Sequence, residues 1–140
     1  RRKLALASIL PLTPRILLLD EPMAGLDPAA RRSTLVRLGE LQHQMGVTLV
    51  LSSHQMEDVA ALAQGALILA EGRSLLQDCL GCVFARPEVL ASAGLAAPLA
   101  AQLAASLRSR GWSLDSNLLT PDELLQNIRL LVQTPTGSAG

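Results

Sequence analysis

Two neighbouring acids, Asp20 and Glu21, close the apolar run Ile16-Leu17-Leu18-Leu19 and precede Pro22. A short continuous apolar run predicts a strand buried on both faces. Open α/β sheets place their ligands outside the carboxyl ends of such strands. Two carboxylates there need a partner, because an unpaired buried charge is costly. Mg²⁺ carrying nucleotide phosphates is one partner; a strand that ends in a solvated acidic turn shows the same seven residues. A second run, Val47-Thr48-Leu49-Val50-Leu51, ends in Ser52-Ser53-His54. A single histidine says little, and the strand-end position is what makes His54 a candidate.

Cys79 and Cys82 form the other constellation, a lone C-x-x-C. A structural zinc site takes four ligands, and the two histidines, His43 and His54, lie far upstream without finger spacing. Gly81 between the cysteines is compatible with a redox pair. Two small, partly buried, reduced thiols are the plainer expectation.

The elements that must hold these residues follow from the pattern. Residues 3–10 read as the end of a helix stopped by Pro11 and Pro14. Asp27-Pro28 reads as a helix start, with Asp as N-cap and Pro in the first turn. Leu35, Leu38, Leu41 and Met45 recur at helical spacing, and Gly46 closes the helix. A short helix is predicted from Met56 to Ala63, with Val59, Leu62 and Ala63 on one face. Glu71-Gly72 between two apolar runs predicts a hairpin. Strand, helix, strand, helix with short links implies parallel strands covered by helices, with the hairpin as an added edge. Beyond Cys79 come Ala-rich helical pieces punctuated by Pro87, Gly94, Pro98 and Gly111. Thr120-Pro121-Asp122-Glu123 is a capping box opening a helix through Leu131. The expected organisation is an α/β core over 1–78, a helical extension over 79–133 and a disordered polar tail over 134–140.

Composition excludes several classes. Twelve basic and twelve acidic side chains give a formal net charge of +0, so no global field draws nucleic acid or anionic lipid. Hydrophobic residues make up 49% of the 140, yet no run approaches the ~18 residues needed to cross a bilayer. Arg1, Arg2 and Lys3 ahead of an apolar stretch imitate a secretory signal, but Pro14 and a buried-strand pattern follow, with no small-residue cleavage site.

The order Leu17-Leu18-Leu19-Asp20-Glu21-Pro22, then Ala24-Gly25-Leu26-Asp27-Pro28, then Leu51-Ser52-Ser53-His54 resembles the ABC-transporter ATPase family. The first two stretches look like its Walker B motif and D-loop, the third like its switch-histidine motif. The resemblance implies a P-loop NTPase core and a role for each residue. Asp20 would organise Mg²⁺ through water, and Glu21 would orient and activate the attacking water. His54 would contact the γ-phosphate and hold water and Glu21 in register. Asp27 would cross a dimer interface and couple two ATP sites, besides capping its helix. Met23 stands where the family usually has Thr or Ser, outside the catalytic roles.

The same resemblance shows what these 140 residues lack. The family's G-x-x-x-x-G-K-[ST] loop, which cradles β/γ-phosphates, is absent, and the single lysine, Lys3, has no glycine near it. Also absent are the adenine-stacking aromatic and the Gln-bearing loop. The family's L-S-G-G-Q would end just before Arg1, and residues 1–7 look like the helix after it. Resemblance therefore covers the back half of the domain, and an N-terminally incomplete ATPase that is inactive alone is expected. Its sheet, short of a strand, is expected to leave an edge open and to associate.

Arg86-Pro87-Glu88-Val89-Leu90, Ala93-Gly94-Leu95 and Leu107-Arg108-Ser109-Arg110-Gly111 look like the extension of energy-coupling-factor and cobalt/nickel-type importer ATPases. That branch implies an ATPase dimer gripping a membrane subunit, at the cytoplasmic face of the cell membrane, with ATP and Mg²⁺ as cofactors. Other readings are a non-catalytic relic or partner subunit, and a soluble, non-transport ABC ATPase.

Overall fold

The computed structural model describes residues 14–133. The predicted helix over 3–10 and the polar tail over 134–140 lie outside the described residues. The chain divides into two compact units, Arg1–Leu62 and Ala63–Gly140.

In the first unit, β1 (Ile16–Asp20) pairs in parallel with β2 (Thr48–Ser52), joined through helix α1 (Pro28–Met45). The register sets Asp20 opposite Ser52, so both strands end at one rim. Local signals set the limits of α1. Asp27, in extended conformation, accepts from the Ala29 and Ala30 N–H groups at 3.0 and 2.9 Å. Gly46 ends the helix at φ 63°, a left-handed conformation that favours glycine. Helix α2 (Met56–Leu62) begins two residues after His54.

Apolar packing in this unit is one-sided. Met23, Leu38 and Leu62 are buried together, with Leu19, Leu35, Leu41, Leu49 and Leu51 packed against them. Successive strand side chains point to opposite faces, and Ile16, Leu18 and Val50 on the other face are 62%, 74% and 51% exposed. The expectation of strands buried on both faces is therefore corrected. Both faces carry apolar residues, but among the described residues only one is covered. Met45, counted in the apolar stripe of α1, is also exposed, sitting in the last turn.

In the second unit, β3 (Gly65–Ala70) and β4 (Arg73–Cys79) form an antiparallel hairpin with a bulge between Ile68 and Leu69. Its two-residue turn has Glu71 at φ 50° and Gly72 at φ 73°. Positive φ at both central positions matches the twist of the flanking strands. The hairpin makes a sheet of its own rather than an edge on β1–β2. Short helices α3 (Leu80–Phe84) and α4 (Pro87–Ser92) follow and bury Leu80, Val83, Phe84 and Leu90.

Helices α5 (Leu99–Ser109) and α6 (Pro121–Gln133) then enclose Ala100, Ala104, Leu114, Leu118 and Leu124. Ala100 and Ala104, one turn apart, share a face. The capping box forms as read: Glu123 Oε2 accepts from the Leu119 and Thr120 N–H groups, both at 2.9 Å, and Thr120 Oγ1 accepts from the Glu123 N–H at 3.4 Å. The compositional change expected near Cys79 falls inside this second unit, because α3 packs on the hairpin.

Candidate functional site

The rim where β1 and β2 end gathers four polar side chains. Ser52 Oγ donates to Asp20 Oδ1 and accepts the Glu21 N–H at 3.0 Å. One hydroxyl thus orients the first carboxylate and holds the backbone of the second. His54 Nδ1 lies 2.7 Å from Glu21 Oε1. The His54 and Glu21 side chains are 67% and 35% exposed, so the pair is open to solvent.

Glu21 itself is strained. Its φ of 42° lies in the left-handed region, which a residue with Cβ adopts at a cost of about 1 kcal/mol or more. The chain turns sharply off the strand there: Ala24 N–H reaches back to Glu21 O at 3.1 Å, and Leu26 N–H to Met23 O at 3.2 Å. This turn swings the Glu21 carboxylate across to His54 instead of continuing the strand's alternation. Strain of this kind persists where the surrounding structure fixes it.

Of the four residues singled out from sequence, Glu21 and His54 meet directly, and Asp20 stands one residue away, tied to Ser52. Asp27 stands at the start of α1. Its Oδ1 caps α1, and Arg31 N–H bonds its carbonyl at 2.8 Å. Ser52 is the residue that sequence reasoning passed over. The available signal was a hydroxyl in register with Asp20 at the end of the partner strand.

A second omission lies behind the rim. Arg31 Nε donates to Asp58 Oδ1 at 2.7 Å, joining the first turn of α1 to the first turn of α2. Asp58 is 1% exposed, and its Oδ2 has no hydrogen-bond partner among the described residues. A hollow of about 380 Å³ lined by Leu26, Arg31, Leu35 and Asp58, among others, lies beside this pair. None of the rim residues lines it.

The donor set at the rim is carboxylate, carboxylate, hydroxyl and imidazole. Carboxylate and water oxygens suit Mg²⁺, which keeps most of its waters and takes one or two carboxylates. Asp20 fits that role, with one oxygen held by Ser52. A carboxylate buttressed by an imidazole at 2.7 Å can orient a water and accept its proton. No helix among the described residues is long and apolar enough to cross a membrane.

No protein-family model matches the chain. Among curated proteins it is 44% identical over 128 residues to the energy-coupling factor transporter ATP-binding protein EcfA2 of Symbiobacterium thermophilum, covering 91% of this chain and 44% of that protein. The EcfA2 of Latilactobacillus sakei is 37% identical over 139 residues, 99% of this chain and 47% of its own length. Among solved structures, cbiO1 from Clostridium perfringens, described as part of the ABC transporter complex cbiONQ, superposes with a TM-score of 0.54 at 35% identity. That superposition covers 63% of this chain and 35% of cbiO1. The chain spans under half the length of the curated relatives it matches. Over about nine tenths of its own length, then, the chain is similar to the ATP-binding proteins of energy-coupling factor transporters, and part of it superposes on a protein of an ABC transporter complex.

Proposed function

We propose that these residues form the water-activating side of an ATP-hydrolysing site in the ATP-binding subunit of an energy-coupling-factor-like importer. The observation that carries the reading is the 2.7 Å contact between His54 Nδ1 and Glu21 Oε1 at the ends of adjacent parallel strands. Glu21 orients the attacking water and takes its proton; His54 fixes the Glu21 carboxylate and presents its other ring nitrogen outward. Asp20, oriented by Ser52, would hold Mg²⁺ through water, and the metal when bound supplies charge neutralisation to the triphosphate. Asp27 serves twice, as cap of α1 and at the interface with a second ATPase subunit.

The partners that fit are a second ATPase subunit, identical or paralogous, and a membrane-spanning transporter subunit. The location is then peripheral, at the cytoplasmic face of the membrane. Residues 79–133 act as the extension that supports such a dimer. Phosphoryl transfer depends almost wholly on positioning and electrostatics, and the 140 residues contain no G-x-x-x-x-G-K-[ST] stretch to cradle the β/γ-phosphates. These residues alone are therefore inactive. The test is phosphate release from Mg²⁺-ATP by the purified chain. No turnover above buffer is expected, and turnover that disappears in Glu21→Gln overturns the claim of inactivity. Replacing Glu21 by Gln in a full-length relative that carries the same motifs is expected to lower kcat by at least a hundredfold with nucleotide affinity kept.

A further inference from the structure

The Cys79–Cys82 pair is left unused by the proposed reaction, and the fold adds a third donor to it. We propose that Asp78, Cys79 and Cys82 bind one thiophilic divalent cation of the zinc type, with water in the fourth position.

The ligand atoms of these three residues all lie within 4.8 Å of one another. They converge because β4 runs directly into α3. Asp78 and Cys79 are the last residues of the strand, and Cys82 sits in the first turn of the helix. Asp78 Oδ1 accepts the Cys79 N–H at 2.8 Å, which holds the carboxylate against the turn and uses one of its oxygens. The turn is also packed from outside, since a Cβ on Gly81 would come within 2.1 Å of Asn117 Oδ1.

Two plainer explanations account for part of the cluster. Cys79 Sγ accepts the Cys82 N–H at 3.4 Å and so caps α3, which explains Cys79 but neither Asp78 nor Cys82. A disulfide accounts for both sulfurs, which stand 2.8 Å apart. It has no use for Asp78, and the attacking species in that chemistry is a thiolate. A divalent cation uses all three residues, because the crowded carboxylate and sulfur donors become its ligands and the thiols are deprotonated on binding.

The step balances as two thiols plus M²⁺ giving a dithiolate complex and two protons released to solvent, with no change of oxidation state. Thiolate ligands favour zinc-like ions over Mg²⁺ or Ca²⁺. Tetrahedral coordination at about 2.3 Å sets two sulfurs roughly 3.8 Å apart, so the thiols must part by about 1 Å from their present 2.8 Å. Both are exposed and free to do so.

Titration of the reduced full chain with Co²⁺, followed by thiolate-to-cobalt charge-transfer absorption, tests the site. Saturation near one equivalent is expected, with proton release and displacement of the colour by Zn²⁺. Cys79→Thr keeps an oxygen to cap α3 and is expected to fold yet lose the band. Cys82→Ser is expected to lose it too, and Asp78→Asn to weaken binding at least tenfold. A reduced wild-type chain that gives no charge-transfer band overturns the proposal. A band that survives in Cys82→Ser does the same. So does a chain that binds no metal but loses two mass units on exposure to oxidised glutathione, which would make the pair a disulfide.

Discussion

Two polar side-chain pairs in the first unit have the same length and opposite surroundings. Arg31–Asp58 and His54–Glu21 each close at 2.7 Å, but the carboxylate is 2% exposed in the first and 35% in the second. Charges withdrawn from water are stabilised only through their partners, so breaking a buried pair is expensive. A solvent-exposed pair is screened and contributes little to folding. The first pair therefore holds α1 and α2 in place. The second is open to solvent, as the proposed handling of water and phosphate requires. A distance alone does not distinguish scaffold from site; burial does.

The sharpest way to break this contrast is Arg31→Met, which leaves Asp58 buried without its cation. Urea unfolding of the chain is expected to show a loss of about 3 kcal/mol, and a loss under ~1 kcal/mol would mean that water already satisfies Asp58. Asp27→Ala comes next. It removes the acceptor for two N–H groups of α1 and is expected to cost about 1 kcal/mol in the same measurement.

Glu21→Gly reverses the sign. Releasing the φ of 42° is expected to stabilise the chain by somewhat under ~1 kcal/mol while removing the proposed base. A destabilising result would show that the turn is held by the Glu21 side chain rather than despite it. The smallest effect belongs to His54→Ala, within about 0.5 kcal/mol of the parent. Double-mutant cycles at 1 M salt sharpen the comparison further. The His54–Glu21 coupling should vanish there and the Arg31–Asp58 coupling persist.

Local chemistry in the chain was readable without coordinates. Asp27 and Gly46 bound α1, Glu71-Gly72 turns the hairpin, and Thr120 with Glu123 opens α6, each through contacts within a few residues. The two strands and their carboxyl-end acids were readable for the same reason, since a short apolar run ending in charge is a local pattern. Two other features were not. Arg31 and Asp58 are 27 residues apart, and nothing in either neighbourhood marks one as the other's partner. The apolar alternation of β1 and β2 likewise cannot say which face is covered, and Ile16, Leu18 and Val50 are exposed.

The sequence by itself therefore determined the elements, their caps and the identity of the acids at the strand end, because those depend on neighbours along the chain. Only the tertiary structure decided which polar groups meet. It turned Glu21 back through a left-handed backbone onto His54, set Ser52 beside Asp20 by strand register, and buried Asp58 against Arg31. Each of those contacts joins residues at least 27 positions apart. Such contacts are fixed by how helices and strands pack, and no local preference encodes them.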